Sequence, residues 1–513
     1  MNTGRALVGL FASCLLCAAA AADRDGAEIY REVCASCHES GAPRTPTRKM
    51  LEALSTASIV RSLETGTMRV VGTFQLNGPE RVAVAEFLTG QRYDPAWTAQ
   101  AAKRCAEPSW NVEEAFASPH WNGWGNGEAN TRFQSGERAG IDAAGVRQLK
   151  LKWAFAFPGE TIAESQPTVV GGRLFVGSRS GTVYALDAES ACTHWTFQAD
   201  GPVKSSVLLG YSGTGDARRL LAFFGDLGGW VYAVDAKTGA EVWRKRPDDH
   251  VASRIMGSFL LAENQLLVPL TSVESTLAAA QDAVCCEFRG SVVSLDPLTG
   301  KENWKRYTIA ETPTKQGTNA NGIDMLGPSG ATIWTTPTYD ALLKRVYVGT
   351  GENYSNPPTD TSDSILAVDL ETTEVVWKYQ GLSGDAWNMS CGTENPVNCP
   401  ENTGPDYDMG SSPSISTLAD GRRVLIATQK SGVVHALDPD RGGKLLWKRT
   451  IASGGVLGGI EWGPATDGEK VYVAIADIAW SSEDLLDPAL TPDPKAGGGL
   501  VALRLSDGET AWE

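Results

Sequence analysis

Val183-Tyr-Ala-Leu-Asp187, followed eight residues later by Trp195, is a short apolar run that ends in an acid, a turn and an indole. The same unit returns at Val231-Tyr-Ala-Val-Asp235 with Trp243, at Val292-Val-Ser-Leu-Asp296 with Trp304, and at Ile365-Leu-Ala-Val-Asp369 with Trp377. Val434-His-Ala-Leu-Asp438 with Trp447 and Leu500-Val-Ala-Leu-Arg504 with Trp512 bring the set to six. The acid caps a hairpin turn, a glycine four residues on (Gly239, Gly300, Gly442, Gly508) takes the positive φ of that turn, and the Trp docks on the neighbouring sheet. Four-stranded sheets set radially, as the blades of an all-β propeller, satisfy this pattern. Counted from Trp153, the Trp-to-Trp spacing runs from 42 to 73 residues. That exceeds the roughly 40–45 of plain WD repeats, so long insertions are expected, and function belongs to residues in them that do not repeat.

The whole chain has 513 residues, 42% of them apolar, which is enough for more than one domain with a sizeable core. A formal charge of -16 argues against nucleic acid and anionic membrane surfaces as partners. Arg5, the apolar run Ala6 to Leu16 and the small residues Ala18 to Ala22 have the layout of a signal peptide cleaved before Asp23, so residues 1–22 read as a leader and the mature protein as periplasmic. No later stretch approaches the roughly 20 apolar residues of a membrane helix. Eight of the 10 cysteines lie beyond the leader, an even number suited to an oxidising compartment. Cys285 with Cys286 and Cys391 with Cys399 are plausible local disulfides, while Cys105 and Cys192 either pair or stay buried.

Ahead of the repeats stands Cys34-Ala-Ser-Cys37-His38. Two thiols at this spacing reach the two vinyl groups of a haem, and the adjacent imidazole ligates its iron. Glu28 to Val33 reads as a helix entering the motif, and Pro79 to Leu88 repeats apolar residues at helical spacing, so residues 23–92 are expected to be a small all-α cytochrome c domain. The sixth iron ligand is expected to be a Met. Met68, in Glu64-Thr-Gly-Thr-Met68 ahead of the last helix, is preferred to Met50, which reads as a packing residue at a helix start. Residues 93–120 read as a linker and 121–513 as the propeller.

From Trp124-Gly through Asn130-Thr-Arg-Phe133 and Leu149-Lys-Leu-Lys-Trp153 onward, the mature sequence resembles the alcohol dehydrogenases that depend on pyrroloquinoline quinone (PQQ), in particular the polyvinyl alcohol branch with its leading cytochrome domain. The resemblance implies an eight-bladed propeller with PQQ on its axis and calcium beside the quinone carboxylates. Six docking repeats end at Trp512-Glu513, so the closing blades of such a ring are expected beyond this sequence.

The same resemblance assigns site residues. Trp334, in Ala331-Thr-Ile-Trp334 and off the repeat spacing, matches the floor on which the quinone stacks. Glu274 matches the carboxylate ligand of calcium, and Asn353 or Glu352, in Gly349-Thr-Gly351-Glu-Asn353, the second ligand. Alcohol oxidation needs a base for the hydroxyl proton. The family base would fall at Asn388 of Asp385-Ala-Trp387-Asn388, but after an insert Asp406-Tyr-Asp408 restores the pattern with Pro413 beyond it. Asp406 is therefore the expected base, with Asp408 and Asp385 behind it. Lys430 matches a cation touching the quinone oxygens, and Glu164 a cofactor-contacting acid. Cys285-Cys286 resembles a vicinal disulfide that caps the quinone, although the family places that pair where this chain has Ser205-Ser206.

The resulting expectation is an enzyme that takes electrons from an alcohol or polymeric alcohol through PQQ and haem c to an external cytochrome c. The alternatives are a propeller scaffold for protein binding with an electron-carrying cytochrome domain, and a quinoprotein acting on sugars or aldehydes.

Overall fold

A computed structural model describes residues 24–478 and 496–513, apart from 41–44, 53, 65–67, 95–103, 107–109, 159, 161 and 402. The proposed leader, 1–22, lies outside the described residues. The chain divides into two compact units, one ending at Pro95 and the other running from Ala96 to Glu513.

The first unit is helical. Gly26–Ile29, Tyr30–Cys34 and Ala35–His38 follow one another without a break and carry the Cys34 to His38 motif at their end. Arg48–Glu52, Thr56–Glu64, Arg69–Phe74 and Gly78–Thr89 follow. The last helix begins with reciprocal bonds between Asn77 and Glu80, places Pro79 in its first turn, and stops at Gly90 with φ 66°. Ile29, Tyr30, Val60, Leu63, Val84, Ala85 and Leu88 form its core, with Val84, Ala85 and Leu88 at the helical spacing read from the sequence.

The second unit is built of antiparallel four-stranded meanders. The first blade pairs Thr168–Val170, Arg173–Val176, Thr182–Asp187 and Thr193–Gln198 in chain order. Five more blades span 208–245, 260–307, 338–380, 414–450 and 465–512. The six blades among the described residues are the six docking repeats of the sequence. In each, the repeated run, ending in an acid in the first five blades and in Arg504 in the sixth, forms the third strand and the Trp lies on the fourth. Consecutive blades share apolar clusters: Phe175 and Trp195 of the first blade pack with Phe224 and Val234 of the second, and Val424 and Ile426 of the fifth with Val471 and Val473 of the sixth.

The turn chemistry is as the residues dictate. Asp235 Oδ1 accepts the N–H groups of Lys237 and Thr238, and Asp296 Oδ1 those of Leu298 and Thr299. The indole N–H of Trp195 donates to Ala236 O at 3.1 Å, that of Trp243 to Pro297 O at 3.0 Å and that of Trp447 to Leu505 O at 2.9 Å, each across to the next blade. Trp153 docks on the first blade in the same way, through Ala188 O at 3.0 Å. The repeat glycine has a second duty: a Cβ on Gly300 would lie 2.7 Å from the Trp243 ring, so the residue provides both φ 70° and the seat of the previous blade's indole. In the fifth blade Gly442 takes the expected positive φ, 65°, while the seat of Trp377 is Gly443.

Residues 93–120 are not a free linker along their described length. Cys105 is disulfide-bonded to Cys192 of the first blade, and Trp110, Val112 and Phe116 pack on the core shared by the first two blades. Cys285–Cys286 and Cys391–Cys399 are also bonded, and among the described residues Cys34 and Cys37 are the free thiols. Among the described residues no helix is long and apolar enough to cross a membrane.

Candidate functional site

In the helical unit, His38 is 9% exposed and its Nδ1 lies 2.7 Å from Pro46 O. A carbonyl only accepts, so Nδ1 carries the proton and Nε2 is left with its lone pair, the tautomer that an iron ligand needs. Cys34 is half-buried and Cys37 exposed, both free, and burial pushes the Cys34 thiol up to about 11, so it is a thiol rather than a thiolate at neutral pH. Met68 packs against the same core as Cys34, whereas Met50 is 56% exposed. The residues present fit a covalently held haem.

In the propeller, the strand-to-strand insertions bring five of the expected residues together. Lys430 Nζ lies 3.1 Å from each carboxylate oxygen of Asp406 and 2.9 Å from Asp408 Oδ2. Asp408 also accepts the Trp334 indole N–H at 3.1 Å and the Glu352 backbone N–H at 2.9 Å. Carboxylate oxygens of Glu352, Asp406 and Asp408 lie within 4.8 Å of one another, the single such group of metal-ligating residues among the described ones. All are buried, as is Lys430.

The electrostatics separate these acids. Burial, with repulsion from Asp408 and Asp406, holds Glu352 well above the usual carboxylate range. Burial also lifts Asp406 well above it, against the pull of Lys430. For Asp408, burial is outweighed by Lys430 and by its bonds from Glu352, so it lies below its ordinary value and is the anion of the group. Three interior carboxyls face one ammonium, an arrangement short of positive charge. Oxygen ligands in such a pocket are the donor set of a hard divalent cation, and the residues fit calcium.

Several expectations need correction. Asn353 has no free amide oxygen: its Oδ1 accepts the Thr359 N–H at 2.7 Å while Nδ2 donates to Ser329 O at 2.9 Å, so Glu352 is the residue that faces the cluster. Glu274 stands apart from the three acids. Its two oxygens accept the N–H groups of Glu287 and Phe288 at 2.9 and 2.8 Å, bracing the turn that follows the vicinal disulfide. Asp385 accepts the N–H groups of Asp406 and Tyr407 at 3.2 and 2.9 Å, so it holds the loop in which Asp406 has φ 58°. Asn388 is likewise a brace, donating to Tyr354 O and Asn398 O. Cys285 and Cys286 are fully buried in a cluster with Ala278 and Tyr354.

Trp334 is the wall common to the acid cluster and a cavity of about 330 Å³, which is also lined by Trp124, Trp462, Glu164 and Lys204. Glu164 bonds Arg179 at 2.7 Å and lies 3.5 Å from Lys204, whose Nζ sits 4.4 Å from the Trp462 ring centre. Trp462 meets Trp334 edge to face at 5.5 Å. A flat indole wall flanked by cations and an acid fits a planar, anionic aromatic cofactor. Lys204, Trp462 and the neighbouring half-buried Glu461 were not singled out in the sequence. Trp462 carried a usable signal, since it follows Trp447 far inside the repeat spacing.

Comparison with known proteins agrees with this geometry. A family model described as glucose/ethanol/alcohol dehydrogenase, beta-propeller domain, matches residues 272–462. One for the outer membrane protein assembly factor BamB matches 141–322, and one for cytochrome C oxidase, cbb3-type, subunit III, matches 21–88. The polyvinylalcohol dehydrogenase of Sphingopyxis sp. (strain 113P3) is 37% identical over 505 residues, covering 95% of this chain and 75% of that protein. The quinohemoprotein alcohol dehydrogenase of Comamonas testosteroni is 25% identical over 68% of this chain and 49% of its own length. The solved structure of quinohemoprotein alcohol dehydrogenase ADHIIG from Pseudomonas putida HK5 shares the fold, with TM-score 0.57 at 19% identity over 81% of this chain and 69% of that one. An indole-floored acid cluster in a bladed β-unit and a haem-attachment motif in a helical one thus occur on a chain that belongs to the polyvinyl alcohol dehydrogenase branch of the PQQ-dependent quinohaemoprotein alcohol dehydrogenases.

Proposed function

We propose that this chain oxidises secondary alcohols, polyvinyl alcohol among them, in the periplasm and delivers the electrons to an external cytochrome c. The observation that carries the reading is the buried group of Asp406, Asp408, Glu352 and Lys430 hydrogen-bonded to Trp334. When bound, PQQ accepts the two electrons of the alcohol beside a calcium Lewis acid, and haem c relays them singly.

The chain's own residues divide the remaining work. Glu352 and Asp408 would hold calcium, Asp408 already being the anion of the cluster. Trp334 would carry the cofactor, and its indole N–H holds Asp408. Asp406 would take the hydroxyl proton, with the Lys430 ammonium 3.1 Å from both of its carboxylate oxygens favouring the ionised form that a base needs. Lys430 would stabilise negative charge developing on the oxygens it faces. His38 Nε2 and Met68 would ligate the haem iron, with Cys34 and Cys37 as its covalent anchors.

The test is reconstitution of the full chain with PQQ and calcium, following haem reduction as alcohols are added. Haem reduction by secondary alcohols, lost in Asp406→Asn while PQQ stays bound, is the expected result. Unchanged turnover in that variant would move the base elsewhere. A chain that binds no quinone would favour the scaffold reading, for which the match to the assembly-factor family over 141–322 speaks.

A further inference from the structure

A groove of about 820 Å³ lies between the outer strands of the third and fourth blades and shares no lining residue with the cavity beside Trp334. Residues 306–308 line it from the third blade and 375–378 from the fourth, with Pro328 and residues 357–361 completing the lining. Tyr307, Pro357, Pro358 and Val376, the last 43% exposed, give it apolar surface. Its charges cancel: Arg306 and Lys378 stand against Asp360 and Glu311, and Lys378 is ion-paired with Asp360. On a chain of formal charge -16 this groove is neutral.

The arm 359–362 is braced from inside. Fully buried Asn353 accepts the N–H and the hydroxyl of Thr359 at 2.7 and 3.2 Å, and its Nδ2 donates at 2.9 Å to the carbonyl of Ser329, next to Pro328. Thr350 Oγ1 donates to Thr361 O at 2.6 Å, and Gln380 Nε2 to Thr359 O and Ser362 O at 2.9 and 3.1 Å. The hydroxyls of Thr359 and Thr361 lie 3.1 Å apart. With the Thr359 proton given to Asn353, Thr361 donates to Thr359, and the lone pairs of Thr361 Oγ1 are left to accept from a ligand. Asn353 also directly follows Glu352, so one side chain ties the groove to the acid cluster. Thr359 is seven residues from Glu352 and Pro328 six from Trp334, spans of at most about 25 Å even when fully extended.

We propose that this groove holds an uncharged linear polymer bearing secondary hydroxyls, one segment lying in it while a neighbouring segment reaches the site of oxidation. This rests on the alcohol-oxidising reading above. Such a chain presents methylene groups and hydroxyls in alternation and carries no charge. Its methylenes match the proline, tyrosine and valine surface, its hydroxyls the Thr361 acceptor, and its neutrality the cancelled charges; a basic protein would call for a net negative lining. The acid cluster is buried, so it admits one carbinol at a time and the rest of a polymer must lie outside. A segment anchored within about 25 Å makes presentation of the next carbinol an intramolecular event, with an effective concentration in the millimolar range.

The experiment measures, by fluorescence anisotropy, the binding of fluorescein-labelled polyvinyl alcohol to the full chain with and without PQQ and calcium, in wild type, Thr361→Val and Val376→Arg. Wild type binds the polymer in both states. Thr361→Val loses one acceptor and weakens binding by about fivefold, and Val376→Arg, which fills the groove from an exposed position, by about tenfold. In turnover the polymer KM rises by the same factors with kcat unchanged, while kcat and KM for a small secondary alcohol keep their wild-type values. Equal polymer binding by wild type and both variants, or a small-alcohol KM that rises with the polymer's, overturns the groove and leaves the enzyme reading standing. Labelled dextran held more tightly than the polymer makes the groove a carbohydrate site and overturns the assignment. Polymer binding that is weakened in both variants, on a wild-type chain that reduces no haem with any alcohol, upholds the groove and removes the enzyme reading alone.

Discussion

Replacing Lys430 by Met keeps nearly the same side-chain length and removes one positive charge from a site holding Asp406, Asp408 and Glu352. At about 3 Å and an effective dielectric constant of about 20, each contact of the ammonium with a carboxylate represents about 5 kcal/mol of gross attraction. The desolvation of the lysine opposes this, and removal of one partner of a buried pair costs about 3–5 kcal/mol net, because the remaining charge is left uncompensated. For a unit of this size that corresponds to a fall in Tm of about 4–6 °C. If Glu352 and Asp408 hold calcium, the added cation supplies part of the missing charge, so the deficit should be largest with a chelator and should shrink when calcium is restored. Scanning calorimetry of the wild-type and Lys430→Met chains, each with chelator and with calcium, measures both quantities. A variant as stable as wild type in chelator and indifferent to calcium would refute the claim that this lysine balances a cation-seeking acid cluster.

Gly300→Ala meets two obstacles at once, φ 70° and the Trp243 ring at 2.7 Å from the new Cβ. A destabilisation of about 1–3 kcal/mol is expected in chemical denaturation, and Gly322→Ala, which has a positive φ but open space around it, should cost less. His435 is held down to about 4, by burial first and then by Lys448. The unfolded chain therefore takes up its proton first as pH falls through about 6.5, and stability is lost from there down to the folded value, by up to about 3 kcal/mol. His435→Gln should flatten that part of the stability profile, and a wild-type slope retained by the variant would assign the acid sensitivity to other groups.

What the sequence by itself determined is whatever depends on neighbours along the chain. A thioether pair and its imidazole must be contiguous to meet one haem, so Cys34, Cys37 and His38 are readable in five residues. The blades are equally local, because the repeated run and its Trp lie on the two adjacent strands of one hairpin, and the sheets at 168–198 and 208–245 form from residues adjacent in order. The reach of each motif was less visible: that a glycine also seats the indole of the preceding blade is a fact about two repeats in contact.

The division of labour among the acids was decided by tertiary structure. Glu352 and Asn353 are adjacent, and only the direction of each side chain shows that one faces Asp408 while the other is consumed by Ser329 and Thr359. Asp385 and Asp406 are equally acidic in sequence, yet one is tied to backbone N–H groups and the other to Lys430. The Cys105–Cys192 bond settles a pairing that the sequence left open, and the edge-to-face contact of Trp462 with Trp334 joins positions with no mark of their partnership. Charge balance, burial and hydrogen-bond saturation are properties of what surrounds a group in space, and residue type alone carries no record of them.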